Sequence, residues 1–479
     1  MINFNKEELR DKVYACWLGK NVGGTLGGPV EGERHTNDCT GYTTPAGQPL
    51  PNDDLDLQLI WLTAMREMGP NNVDAKVLGE YWLEMITPCW NEYGISKANM
   101  HRGIYPPMSG EYKNHWKHSN GAWIRTEVWA TLYPGDVDKA VHYACEDAYV
   151  DHGSGDGTYA TIFVAALETA AFVVSDIHEL INIALSKIPE KSYTYQFVTK
   201  VIECYENKKT WLETRNIITD MALENEELGW FQAPTNVSYS VIGLLYGEGD
   251  FKKSMLISCN CGDDTDCTCA TVGSILGIIN GTSVIPEDWK AHIGDDIITI
   301  SINMAAGPKY DPLFPHTCSD LADRIMDMHH LTLAGSNITV TDNPTDLTEV
   351  DVDSLRGNDF AMRLQGLSQY YQPFSSMLLE GVAELSGPPE IEPDGTIEVK
   401  LSFMKRMRSQ KVYRIRWLLP EGWSVTGPKS MCEMENGKPV EANYVIKAGE
   451  RVDAETRIVA EISCDGHFDV LYVPIMLCN

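Results

Sequence analysis

Positive charge is scarce in this chain. Its 38 Lys and Arg stand against 68 Asp and Glu, leaving a formal net charge of -30 over 479 residues. A field of that sign repels polyphosphate backbones, so nucleic acid is not an expected partner. Long apolar runs are missing too. Nothing approaches the ~18 consecutive apolar residues that cross a bilayer, and no membrane partner is expected. Met1 to Arg10 mix charges and lack the apolar core of a secretory signal. The 13 cysteines are odd in number and follow no regular framework, which fits reduced thiols in a cytoplasm better than disulfides. Internal repeats and low-complexity tracts are also lacking.

What is present reads as a globular protein of more than one domain. Hydrophobic residues make up 43% and charged residues 22%, and the length exceeds what one hydrophobic core usually serves. Residues 1–340 read as an all-α domain. Leu55, Leu59, Leu62 and Met65 form one apolar stripe and Leu57, Ile60, Ala64 and Met68 a second, so this helix belongs inside a bundle. Thr161 to Ile188 reads as one long core helix. Ala270, Gly273 and Gly277 make a small-residue face for close helix packing, with Gly281 as a stop. An acidic connector and mixed segment, 341–384, carries Asp342, Asp346, Glu349, Asp351 and Asp353. In 385–479, Ile397, Val399, Leu401 and Phe403 alternate with polar residues, as do Tyr413, Ile415 and Trp417. That period predicts a small antiparallel β-sandwich.

The chemistry concentrates in two acidic clusters. One is Asp263-Asp264-Thr265-Asp266-Cys267, just ahead of the small-residue helix; the other is Asn52-Asp53-Asp54-Leu55-Asp56, opening the two-stripe helix. Crowded carboxylates repel one another unless exposed or bound to cations, and oxygen-rich clusters suit Mg²⁺, Mn²⁺ or Ca²⁺. The alternative is a pair of acidic first turns that only complement helix dipoles. Neither cluster is an EF-hand. Cys259, Cys261, Cys267 and Cys269 form two C-x-C pairs, a rival thiolate site, although the carboxylates between them favour a harder ion. Glycines flank Asn120, Gly121 and Arg125, and again His152 and Gly153, as in loops whose backbone approaches a ligand. Arg125 either meets an anionic substrate or holds a carboxylate of the fold; His152 is either a substrate contact or a turn residue. Gly23 to Glu31 is glycine-rich without a P-loop ending.

In this order the segments resemble the ADP-ribosylglycohydrolase family, including the dinitrogenase-reductase-activating glycohydrolases. The resemblance runs from about Ala15 to Trp289 and rests on Gly27-Gly28-Pro29-Val30-Glu31, Asp53-Asp54, Asn120 to Arg125, Asp151-His152-Gly153 and Gly262 to Asp266. It implies an all-α core with two divalent ions, usually magnesium or manganese. Asn52, Asp53, Asp54, Asp264, Asp266 and Cys267 would be the ligands, and Glu31, Asp54 and Asp264 the catalytic carboxylates. Asn120, Gly121, Arg125, His152 and Gly153 would bind substrate. Asn52 and Cys267 replace family hydroxyl residues, and Gly24 stands where many members have aspartate. The implied activity is metal-dependent hydrolysis of an ADP-ribosyl, ribosyl or related furanosyl bond, on a small molecule or on protein. Two alternatives stand beside it: a glycosidase for non-nucleotide carbohydrate, since the sandwich with its Pro420-Glu421-Gly422-Trp423 turn resembles accessory modules of carbohydrate-active enzymes, and a non-catalytic member of the fold.

Overall fold

The computed structural model describes residues 1–302, 314–357, 368–406, 412–432 and 438–479. Two compact units divide the chain. One joins Met1–Gly94 to His115–Gly366, the other Ile95–Asn114 to Leu367–Asn479.

The first unit is helical, with one short parallel pair of strands, Ile2–Asn5 and Ile338–Thr341. Its axis is the packing of helix Lys6–Gly27 on helix Thr265–Asn280. A Cβ at Gly19 would collide with the Gly273 carbonyl, one at Gly23 with the Cys269–Ala270 backbone, and one at Gly27 with Thr265. Gly19, Gly23 and Gly27 are one helical turn apart, so three glycines on one face let two backbones touch. The contact sets the end of one helix beside the acidic start of the other. Helix Asp53–Met68 is buried without interruption from Asp54 to Met65, as its two stripes require. The run from Thr161 to Ile188 is not one helix. It breaks between Asp156–Ala170 and Ile177–Ser186, because Asp176 accepts from the Glu179 N–H and caps a new start. Among the described residues one stretch, Thr265–Val284, is long and apolar enough to cross a membrane, where the sequence showed no such apolar run; 72% of its most apolar window is buried inside the protein.

In the second unit two antiparallel sheets share one core. The five-stranded sheet runs Tyr371–Ser375, Leu379–Leu385, Thr396–Lys405, Val440–Lys447, Ser424–Thr426, and the four-stranded sheet Val470–Cys478, Glu455–Cys464, Val412–Leu418, Ser430–Cys432. Ile397, Val399, Leu401 and Phe403 all point into the core, with Tyr413, Ile415 and Tyr444. Ile104, Met108 and Tyr112 join the same cluster, and the Tyr112 hydroxyl donates to Glu390 at 2.7 Å. Trp423 is buried, while Phe468 and Tyr472 are 95% and 55% exposed.

Candidate active site

The site begins with a turn only certain residues make. Gly262 and Asp263 both adopt positive φ, 80° and 64°, and a side chain at Gly262 would collide with the His35 carbonyl. The turn is tied down by Asp263 N to Glu33 O and Gly32 N to Asp263 O, each 2.8 Å. It delivers Asp264 as the N-cap and Asp266 into the first turn of helix Thr265–Asn280. The same tie brings Glu31 alongside. One carboxylate oxygen each from Glu31, Asp264 and Asp266 lies within 4.8 Å of the others, and so do the ligand atoms of Asp54, Asp266 and Cys267. Asp266 belongs to both groups.

Neighbours fix these carboxylates without saturating them. Asn120 Nδ2 donates to Asp264 Oδ2, and Trp123 Nε1 holds the Asn120 oxygen at 2.9 Å. Cys267 Sγ donates to Asp54 Oδ1 at 3.2 Å, in the manner of a hydroxyl. Tyr93 donates to Asp53 at 3.4 Å. Asn52 accepts the Asp54 N–H at 2.7 Å and caps its helix. Yet Asp54 Oδ2, Asp264 Oδ1 and Asp266 Oδ1 are buried with no partner. Buried acceptors are normally satisfied, so hard oxygens gathered and left open fit a hard cation. Proximity of Asp266, then burial, pushes Glu31 up to about 8. Burial, then Asp266, pushes Asp53 up to about 6. Asp54 and Asp264 are raised by burial first and by the same crowding.

Beneath the cluster runs a buried polar network. Lys20 Nζ meets Glu127 Oε1 at 2.7 Å, and Gln58 Nε2 bridges Glu127 Oε2 and the Asp54 carbonyl, both at 2.7 Å. Asp56, the spare carboxylate of its cluster, accepts from the backbone of Ile300 and Ser301 instead of joining the site.

Of the residues singled out in the sequence, Glu31, Asp53, Asn120, Gly121, Asp264, Asp266 and Cys267 line one cleft of about 120 Å³, with Asp54 bonded to Cys267 below. Four others stand apart from the lining, the first being Asn52, which caps its helix by accepting the Asp54 N–H. Arg125 is fully buried, bonded to Asp147 at 3.0 Å and Asp151 at 2.8 Å, and lies 5.0 Å over the Trp82 ring. It holds carboxylates of the fold. His152 is also buried, between Asp151 at 2.8 Å and Ser119 at 3.2 Å. Gly153 is buried beside it. Sequence reasoning missed other lining residues of the cleft, among them Trp90, Asn91, Glu92, Tyr93 and Phe231. The one signal was aromatic residues bracketing an Asn-Glu pair after Pro88. Asn91 and Phe231 hold positive φ, 37° and 53°, and strain of this kind gathers at functional sites.

Residues 5–326 match the ADP-ribosylglycohydrolase family, and the chain belongs to it. The match spans every motif on which the resemblance rested, and membership suggests a hydrolase of glycosidic bonds. Among solved structures the chain is similar to one titled "ADP-ribosylglycohydrolase-related protein complex", at 19% identity and a TM-score of 0.46, over 68% of this chain and 99% of that one. A FixG-related protein from Vibrio parahaemolyticus matches 21% of this chain and 94% of its own, at 11% identity and a TM-score of 0.19. The GAE domain of GGA2p from Saccharomyces cerevisiae matches 23% and 98%, at 14% and 0.17. No curated protein matches the chain.

Proposed function

We propose that the chain is a divalent-metal-dependent glycohydrolase that cleaves a ribosyl or related furanosyl bond with water, on a small molecule or on protein. One observation carries this reading: Asp264 and Asp266, each with an open buried oxygen, gather with Glu31 on a cleft, and Asp54, also with an open oxygen, joins Asp266 and Cys267 just below it. Glu31, Asp54, Asp264 and Asp266 would hold magnesium or manganese, with Asp53 at their side. Such an ion, when bound, supplies Lewis acidity to sugar and water oxygens. Asn120 and Trp123 aim the Asp264 carboxylate, Cys267 and Gln58 steady Asp54, and Tyr93 orients Asp53. Carboxylates at this density stabilise the positive charge that grows on an anomeric carbon as its bond breaks. Glu31, the most exposed of the set, sits where a proton can pass between the cleft and solvent.

The test is mass-spectrometric detection of sugar released from ADP-ribosylated proteins, nucleosides and furanosides, with magnesium and with manganese. Release by wild type that Asp264→Asn abolishes is the expected result. Equal release by both proteins would sink the assignment.

A further inference from the structure

The glycohydrolase reading leaves the charge of the substrate open, and the lining of the cleft bears on it. Five carboxylates line it, those of Glu31, Asp53, Glu92, Asp264 and Asp266, and among the described lining residues there is no Lys, Arg or His. Cations held by these carboxylates would offset their charge, but the lining offers no basic side chain of its own to a phosphate. Arg125 is committed to Asp147 and Asp151. Arg34, outside the lining, pairs with Asp263 at 3.6 Å and lies over Trp230.

Backbone N–H groups on glycine turns are the usual uncharged donors to phosphate oxygens. Here that donor is taken. Gly121 N donates to Glu92 Oε1 at 3.1 Å, and a Cβ at Gly121 would collide with the same oxygen. The second Glu92 oxygen, Oε2, is buried without a partner, and the residue is only 5% exposed. Beside it stand aromatic rings. Trp90, 49% exposed, stacks on Tyr93, and Phe231 stacks on Trp230. The C–H face of a sugar or a flat base packs well on such rings, whose faces are negative. A diphosphate gains nothing from them.

We infer that the cleft selects an uncharged, hydroxyl-rich glycoside, and that Glu92 sets this selectivity. Its Oε2 accepts a substrate hydroxyl, and its charge turns away a phosphate placed at the Gly121 turn. The inference rests on the glycohydrolase reading and narrows its substrate class.

The experiment is calorimetric binding to the full-length protein in magnesium, with adenosine, methyl β-ribofuranoside and ADP-ribose as probes, for wild type and Glu92→Gln. Adenosine should bind at least about tenfold tighter than ADP-ribose, and Glu92→Gln, which keeps an acceptor for Gly121, should narrow that ratio about tenfold. The wild-type ratio alone decides the substrate class should the variant fold poorly. ADP-ribose binding as tightly as adenosine, no binding of either neutral probe, or an unchanged ratio in a folded variant would each overturn the inference. Turnover separates this failure from failure of the broader reading. Sugar release from an ADP-ribosyl peptide alone, lost in Asp264→Asn, overturns the uncharged substrate and upholds the glycohydrolase. No release from any neutral or ADP-bearing substrate takes down both.

Discussion

Replacing Lys20 with Met removes one charge from a pair in which neither side chain meets solvent. Lys20 and Glu127 are each 0% exposed and 2.7 Å apart. Met fills nearly the same volume, so the electrostatic change dominates. A buried charge stripped of its partner costs ~3–5 kcal/mol. Gln58 and Ser274 still donate to Glu127, at 2.7 and 3.1 Å, which puts the expected loss at about 3 kcal/mol, the lower end of that range. Adding Glu127→Gln removes the stranded charge and should return most of the loss. The effect on the site has the opposite sign. The Lys20 charge favours ionised Asp54 and repels any cation held there, so magnesium affinity should hold or tighten while stability falls. Guanidinium unfolding followed by far-UV circular dichroism measures the first effect. Two compact units need not melt together, so the helical transition is the one to compare. Magnesium titration calorimetry measures the second. A loss under about 1 kcal/mol, no recovery in the double variant, or weaker magnesium binding would refute the reasoning.

Two further outcomes are expected. Burial pushes the Glu146 carboxyl up to about 7 from 4.5 although it accepts the Ala75 N–H. The folded protein therefore holds this proton more tightly than the unfolded chain, and the stabilisation is lost as pH rises from about 4.5 to about 7. Glu146→Gln should remove that slope, and parallel wild-type and variant stabilities across the window would count against it. Asp266 serves both acidic groups, so magnesium at a hundredfold its Kd should stabilise wild type by ~2.7 kcal/mol and a chelator should reverse this. Asp266→Asn should lose the response and, without metal, melt higher than wild type because crowding is relieved. A wild-type melting temperature indifferent to magnesium would defeat the proposed metal site.

What could be read from sequence was whatever depends on neighbours along the chain. The glycine face of Thr265–Asn280 and the alternation of Ile397 to Phe403 are local patterns with one physical solution each. The acidic clusters were visible because like charges at adjacent positions need a reason. Arg125 was not decidable in the same way: its partners Asp147 and Asp151 lie 22 and 26 residues on, and no spacing rule reaches so far. The Trp90–Tyr93 segment is tertiary too, since its meaning depends on sharing a cleft with Asp264. Likewise, Ile104, Met108 and Tyr112 share a core with strands some three hundred residues away. The break after Ala170 was legible in principle, because Ser175-Asp176 followed by Glu179 is a helix-start signal, but the apolar run around it masked the cap.

Two departures from the family pattern, Gly24 and Asn52, are physically one. A Cβ at Gly24 would collide with Asn52 Nδ2, so a larger residue at 24 requires the Asn52 side chain to move. Asn52 Oδ1 is occupied by the Asp54 N–H, which turns Nδ2 toward the first helix, where it is buried without a hydrogen-bond partner. A threonine at 52 is shorter and would leave more room at 24, whereas the asparagine amide packs against the bare glycine. Glu31, Asp54, Asp264 and Asp266 keep their convergence regardless, because the Gly262–Asp263 turn and the glycine face of the first helix hold them. Neither residue lines the cleft, so the pair changes the packing between the first helix and the start of helix Asp53–Met68 while the acidic cluster keeps its place.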